Sequence, residues 1–236
     1  MNKLISHAAH IPVSPPTSAL SFSAVTLPAP GRGLPLQLRV TAPATGEALP
    51  ILLLSHGHGP SLYLPSKDGY GPLAHFYAEH GFVVLQPTHA NSKVAGLDAQ
   101  APGAPFFWRS RVADMTLILD HLDEIAAAVP TLAGRLDPSC VAAVGHSLGG
   151  QTVGLLLGAR LTDTGDPAAT DVSLMEPRVR AGVLLAAPGN GGDSLSPYAR
   201  AHYTALNPDY LHLTTRTLVV VGDQDDSPHL TVRGPA

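Results

Sequence analysis

"CVAAVGHSLGGQTVGLLL", residues 140–157, sets Ser147 in a G-x-S-x-G pattern between an apolar run, Val141 to Val144, and a segment compatible with a helix. A strand that turns sharply into a helix presents the residue at the bend to solvent, so this context turns a weak five-residue pattern into a candidate nucleophile. Gly145 and Gly149 have a steric reading: a side chain two positions from the serine would collide across so tight a turn. The alternative is a glycine-rich strand–helix turn with an idle serine. A phosphate loop is a poorer match, since the G-x-x-x-x-G-K-[ST] lysine and the G-x-G-x-x-G spacing are both missing.

Working outward, four further runs resemble the one before Ser147. "PILLLSHGHG" (50–59), "GFVVLQP" (81–87), "AGVLLAAPG" (181–189) and "TLVVVGD" (217–223) are continuously apolar, the pattern of strands buried on both faces. "LSFSAVTLP" (20–28) and "LPLQLRVTAP" (34–43) instead alternate across a glycine turn, which predicts an antiparallel pair at a sheet edge. Between the runs lie helical patterns. Val112, Met115, Leu119, Leu122, Ala126 and Val129 recur at steps of three and four and predict one helix over 109–129, closed by Pro130. Others are predicted over 71–81 and 148–160. Strands alternating with helices give an α/β class with right-handed crossovers and a mostly parallel sheet covered on both faces. The long connections 87–108 and 188–215 begin at the carboxyl ends of strands, where open α/β sheets bind ligands.

Composition narrows the setting. With 236 residues, 44% hydrophobic and 14% charged, the chain can bury a large core, and a single domain over 20–236 after a flexible segment 1–19 is the simplest division. A net charge of −4 without a basic stripe gives nucleic acid nothing to hold. No run reaches the roughly 18 apolar residues of a membrane span, and the proline-broken start lacks a leader's apolar stretch, so a cytoplasmic protein is expected. Cys140 has no partner for a disulfide and reads as a small buried core residue.

A serine nucleophile needs an oxyanion hole, a base and an acid. The amide of Leu148, first in the helix, is one donor. The amide of His58, in "SHGHG", is the other, with Gly57 and Gly59 allowing close approach. His56-x-His58 could instead be read as a metal pair, but residues two apart on an extended chain face opposite sides. For the acid, Asp225 after the last apolar run fits best, Asp226 second and Asp193 third, and solvated loop carboxylates are the alternative for all three. Phe106, Phe107, Trp108, Tyr198, Tyr203 and Tyr210 are candidate walls of an apolar pocket or ordinary packing.

With "SHGHG", "GHSLGG" and "VVVGDQDD" in this order, the chain resembles the α/β-hydrolase family, most closely its chlorophyllase-like and dienelactone-hydrolase-like branch, over roughly residues 20–230. The resemblance implies a three-layer fold with an eight-stranded, mostly parallel sheet. It also implies Ser147 as nucleophile after strand five, Asp225 as acid after strand seven, a histidine after strand eight, the His58 and Leu148 amides as oxyanion donors, and no cofactor. Only eleven residues follow Asp225, too few for another helix, strand and histidine loop, so the expectation is a chain incomplete at its carboxyl end, lacking the last strand and helix. His229 is the sole histidine after Asp225. It could serve only if the tail folded back. His146 adjoins the serine and points away from its proton, and His89 follows another strand and is a candidate pocket residue. His7, His10, His75, His80 and His121 read as solvated, and His202 and His212 as lid residues. The expected activity is hydrolysis of an apolar carboxylic ester through an acyl-enzyme. A binding protein that lacks the base and an acyltransferase are the rivals.

Overall fold

A computed structural model describes residues 10–97, 100–223, 225 and 230. Among these the chain forms β1 (Ala19–Leu27), β2 (Leu36–Pro43), β3 (Leu49–Ser55), α1 (Gly71–Glu79), β4 (Val83–Pro87), α2 (Trp108–Asp120), α3 (Leu122–Ala128), β5 (Leu136–His146), α4 (Leu148–Leu156), β6 (Arg160–Leu161), β7 (Val172–Ser173), β8 (Val179–Leu185), α5 (Pro197–His202), β9 (Pro208–Asp209) and β10 (Arg216–Val220). The main sheet has the order β1-β2-β4-β3-β5-β8-β10. β2 runs antiparallel to both its neighbours, and every pairing from β4 to β10 is parallel. The alternating pair thus lies at one edge and the continuously apolar runs form the parallel body, as their patterns predict. Ser14 and Thr17, ahead of β1, are tied to the end of α1: the Ser14 carbonyl lies 2.6 Å from His80 Nδ1, and the Thr17 amide donates to the Glu79 carbonyl at 2.8 Å.

Helices lie on both faces. α2 and α4 bury Trp108, Met115, Ile118, Val153 and Leu156 against Leu38, Ile51, Leu53, Val83 and Leu85. On the other face Ala74 and Ala78 of α1 sit on Leu52, Leu54, Val84 and Val144. Small residues there let the helix approach the branched strand side chains closely. Beyond α1 that second face is open: a groove of about 420 Å³ runs over Ala142, Ala181, Val183 and Leu218, and β10 exposes Leu218, Val219 and Val220. Full cover of both faces therefore does not hold among the described residues.

The helix predicted over 109–129 is two. At His121 the backbone leaves helical geometry (φ −120°, ψ 29°), its amide bonds Ile118 three residues back, and its ring turns onto the Leu117 carbonyl at 2.9 Å. Tertiary burial of Ile125, Ala126 and Val129 carries the apolar stripe across the break, which is why periodicity alone reads it as continuous. Cys140 is exposed, contrary to its reading as core. In the β3–β5 ladder Pro50 faces Asp137 while Ile51 already faces Val141, so residues 138–140 bulge out of the sheet. The small sheet β7-β6-β9 has no sequence signal, because strands of two residues carry no period.

Candidate active site

β5 ends at His146 and α4 begins at Leu148, leaving Ser147 as the single residue of the bend at φ 52°, ψ −123°. A non-glycine residue is costly there, of the order of 1–3 kcal/mol, and persists because the surroundings over-determine it. A Cβ on Gly145 would stand 2.0 Å from the Gly149 carbonyl oxygen, and one on Gly149 would stand 2.1 Å from that of Ser55. Both glycines are therefore sterically required, as their spacing suggests. The serine amide donates to the Leu185 carbonyl of β8 at 2.8 Å, and the residue remains partly exposed. Leu148 opens α4, so its N–H has no acceptor within the helix.

The segment after β3 lies against this bend. A Cβ on Gly57 would meet the Ser147 Cβ and His146 Nδ1 at 3.3 Å and the His146 carbonyl oxygen at 3.2 Å. Gly59 has open space around it, so close approach is the property of Gly57 alone. The Gly57 amide donates to the Tyr70 hydroxyl at 3.3 Å, which in turn lies 2.7 Å from His146 Nδ1. The Tyr70 hydroxyl thus bridges the glycine segment to the residue before Ser147. His146 is held below its usual range by burial, and the charge of Asp225 pulls the other way. Asp225, in a turn closed by its own amide on the Gly222 carbonyl at 3.2 Å, thus stands at the same end of the sheet as Ser147. Asp193 is exposed and 3.6 Å from Arg200, while Asp226, His229 and His7 lie outside the described residues.

Behind the 56–59 segment is a buried polar cluster. His89 Nδ1 lies 2.8 Å from Asp114 Oδ2, its Nε2 3.0 Å from Ser55 Oγ, and its amide donates to His56 Nε2 at 3.0 Å. His56 Nδ1 lies 2.7 Å from the Gly57 carbonyl, so main-chain groups take both its nitrogens, against the metal alternative. Arg111 donates to Thr152 Oγ1 (2.8 Å), Ser55 Oγ (3.0 Å), the His56 carbonyl and Asn91 Oδ1. Arg32 pairs with Asp114 at 2.9 Å. Burial first and the Arg111 charge second hold His56 and His89 well below the usual histidine range, and burial pushes Asp114 up to about 7. His89, read as a pocket residue, is 0% exposed. Sequence reasoning missed this cluster because Ser55, His89, Arg111 and Asp114 come from three different elements.

Phe106, Leu148 and Leu206 form an apolar cluster with Leu195 and Tyr203 beside the bend. The Phe106 ring meets His58 edge-on at 5.5 Å and Tyr203 at 4.9 Å. Trp108 belongs to the main core and donates to Asp163 at 3.1 Å, while Tyr210 donates to the Pro188 carbonyl at 3.0 Å. Of the six aromatic candidates, Phe106 and Tyr203 join the cluster beside Leu148, and Tyr198 packs edge-on against Tyr203.

No family model and no curated protein matches the chain. Among solved structures, a Bacteroides ovatus protein described as a dipeptidyl aminopeptidase IV superposes over 88% of this chain and 28% of its own, with a TM-score of 0.59 at 15% identity. A hyperthermophilic esterase of Pyrobaculum calidifontis (TM-score 0.46, 20% identity, 90% and 57% covered) and the metagenomic carboxylesterase EstE1 (0.47, 18%, 82% and 54%) also align. The chain thus spans from about a quarter to just over half the length of these proteins. No helix among the described residues is long and apolar enough to cross a membrane. The mostly parallel sheet, the strand–bend–helix at Ser147 and helices on both faces are those of the α/β-hydrolase fold.

Proposed function

We propose that this chain is a serine hydrolase acting on carboxylic esters through an acyl-enzyme, of the chlorophyllase-like kind. The reading rests above all on the backbone of Ser147: a strained φ of 52° at a partly exposed bend, kept by glycines that no other residue could replace. In this reading Ser147 Oγ attacks the ester carbonyl and the oxyanion is met by the amides of Leu148 and His58. Collapse of the adduct breaks the ester C–O bond, the alcohol leaves with the proton the base took from Ser147, and water then cleaves the acyl-enzyme. The proton goes to a histidine carried beyond Asp225, with Asp225 orienting it. His229 is the one the sequence holds there. The apolar cluster of Phe106, Leu148, Leu206 and Tyr203 favours a bulky or long-chain acyl or alcohol group.

A fluorophosphonate probe tests it. The native chain is expected to label at Ser147 and to release p-nitrophenol from its medium-chain esters, while Ser147→Ala does neither. Equal labelling of the two overturns the assignment of the nucleophile. A native chain that binds such esters yet never labels would be a binding protein, and transfer to an added alcohol in preference to water would make it an acyltransferase.

A further inference from the structure

We propose that Arg111 is a positioning residue that locks the two main-chain oxyanion donors into one geometry; the inference rests on the serine-hydrolase reading. Arg111 is 0% exposed, so it cannot touch a substrate. Its guanidinium nevertheless reaches the supports of both donors. On one side it donates to the His56 carbonyl and to Ser55 Oγ at 3.0 Å, clamping the chain where β3 gives way to the glycine segment. It also donates to Asn91 Oδ1, and Asn91 Nδ2 lies 3.2 Å from His58 Nδ1. On the other side Nε donates to Thr152 Oγ1 at 2.8 Å, and that hydroxyl donates to the Leu148 carbonyl at 3.0 Å, in the first turn of α4.

One rigid planar fork therefore ties His56 and His58 to the residue that supplies the other amide. Lysine could not replace it, because a point ammonium has no fixed spread of donors. The arrangement also concentrates charge. Arg111 and Arg32 face a single carboxylate, Asp114, and after burial the positive field of Arg111 is the next cause that holds His56 and His58 below the usual histidine range. Buried positive charge behind an oxyanion hole stabilises negative charge formed in front of it. Most of the clamp is main-chain or hydroxyl contact, so preorganisation, and not charge alone, is the larger part.

The test compares Arg111→Gln, Arg111→Lys and Thr152→Val in the full chain by fluorophosphonate labelling at Ser147, resolved into maximal rate and half-saturating concentration, and by amide hydrogen exchange. Arg111→Gln is expected to lower the maximal rate by about 10²–10³-fold while half-saturation stays within about twofold, the scale of a lost oxyanion donor. Arg111→Lys, which keeps the charge but not the fork, should fall between, at about tenfold. Exchange at residues 56–59 and 147–150 should quicken in Arg111→Gln while amides of β5 and β8 stay protected. A folded Arg111→Gln with native labelling and native exchange overturns the proposal, as does exchange that quickens equally everywhere. Should Arg111→Gln not fold, Thr152→Val cuts one arm only: quickened exchange at 147–150 supports the clamp and unchanged exchange refutes it. If Ser147→Ala labels like the native chain, the nucleophile reading fails separately, and exchange, which needs no reactive serine, still decides the Arg111 proposal.

Discussion

Two serines end two adjacent parallel strands, Ser55 on β3 and Ser147 just past β5, and they have opposite surroundings. Ser55 has the connectivity expected of a nucleophile: its hydroxyl meets His89 Nε2 at 3.0 Å, and His89 Nδ1 meets an aspartate at 2.8 Å. Yet Ser55 and His89 are both 0% exposed, and Arg111 donates to the same oxygen, taking a lone pair that attack would need. Ser147 bonds to no histidine ring among the described residues, but it is partly exposed, sits on strained backbone and is followed by the Leu148 amide, which has no acceptor within its helix. A hydrogen-bonded Ser–His–Asp chain is thus a structural motif as readily as a catalytic one. On the proposed reading, access and neighbouring main-chain donors distinguish a nucleophile.

The glycine between the two regions is where the contrast breaks most violently. Gly149→Ala drives a methyl to within 2.1 Å of the Ser55 carbonyl and 2.8 Å of that of His56, main-chain atoms that cannot yield cheaply. A loss of about 3 kcal/mol or more is expected in urea melts, together with Ser147 labelling. Gly59→Ala, with open space around it, should change stability by less than about 0.5 kcal/mol. Equal effects of the two would mean that β3 and α4 do not approach as described.

Ser55→Ala is the next largest. It leaves His89 Nε2 without its donor and removes one acceptor from Arg111, a cost of about 1–3 kcal/mol for buried polar groups left unpaired. Labelling at Ser147 should persist in the folded fraction. If labelling vanished with stability intact, the functional roles of the two serines would have to be exchanged.

The fold and the Ser147 bend were legible because their signals are local: continuous apolar runs for parallel strands, glycines at fixed offsets for the bend. The role of Gly57 was legible for the same reason. Gly59, identical on paper, has no such role, since nothing near it in sequence says what stands opposite. The buried cluster was illegible. His56 follows β3, His89 follows β4, and Arg111 and Asp114 lie on α2, so no local pattern joins them. What turned Asp114 inward is Arg32, 82 residues away and paired with it at 2.9 Å. Likewise the exposure of Cys140 depends on a bulge in pairing register that no single-strand pattern encodes.

Protons provide the finest separation of the two regions, because a catalytic histidine must take one and a structural histidine must refuse it. Burial, reinforced by Arg111, holds His56 and His89 well below the usual range, so below about pH 6.5 the unfolded chain binds two protons there that the folded chain does not. Their contribution to stability is complete above that pH and is lost as pH falls. Asp114, pushed by burial up to about 7, acts in the opposite sense: between about pH 4 and 7 the folded carboxyl holds a proton that the unfolded one has released. Two histidines act against the one carboxyl, so the histidine sense prevails. These groups together should therefore make the fold less stable on acidification below about 6.5. Urea melts at pH 5.0, 6.0 and 7.5 read this slope, and His89→Gln, which removes one of the two refused protons, should flatten it. A slope that survives His89→Gln would place the proton uptake outside the His89 site.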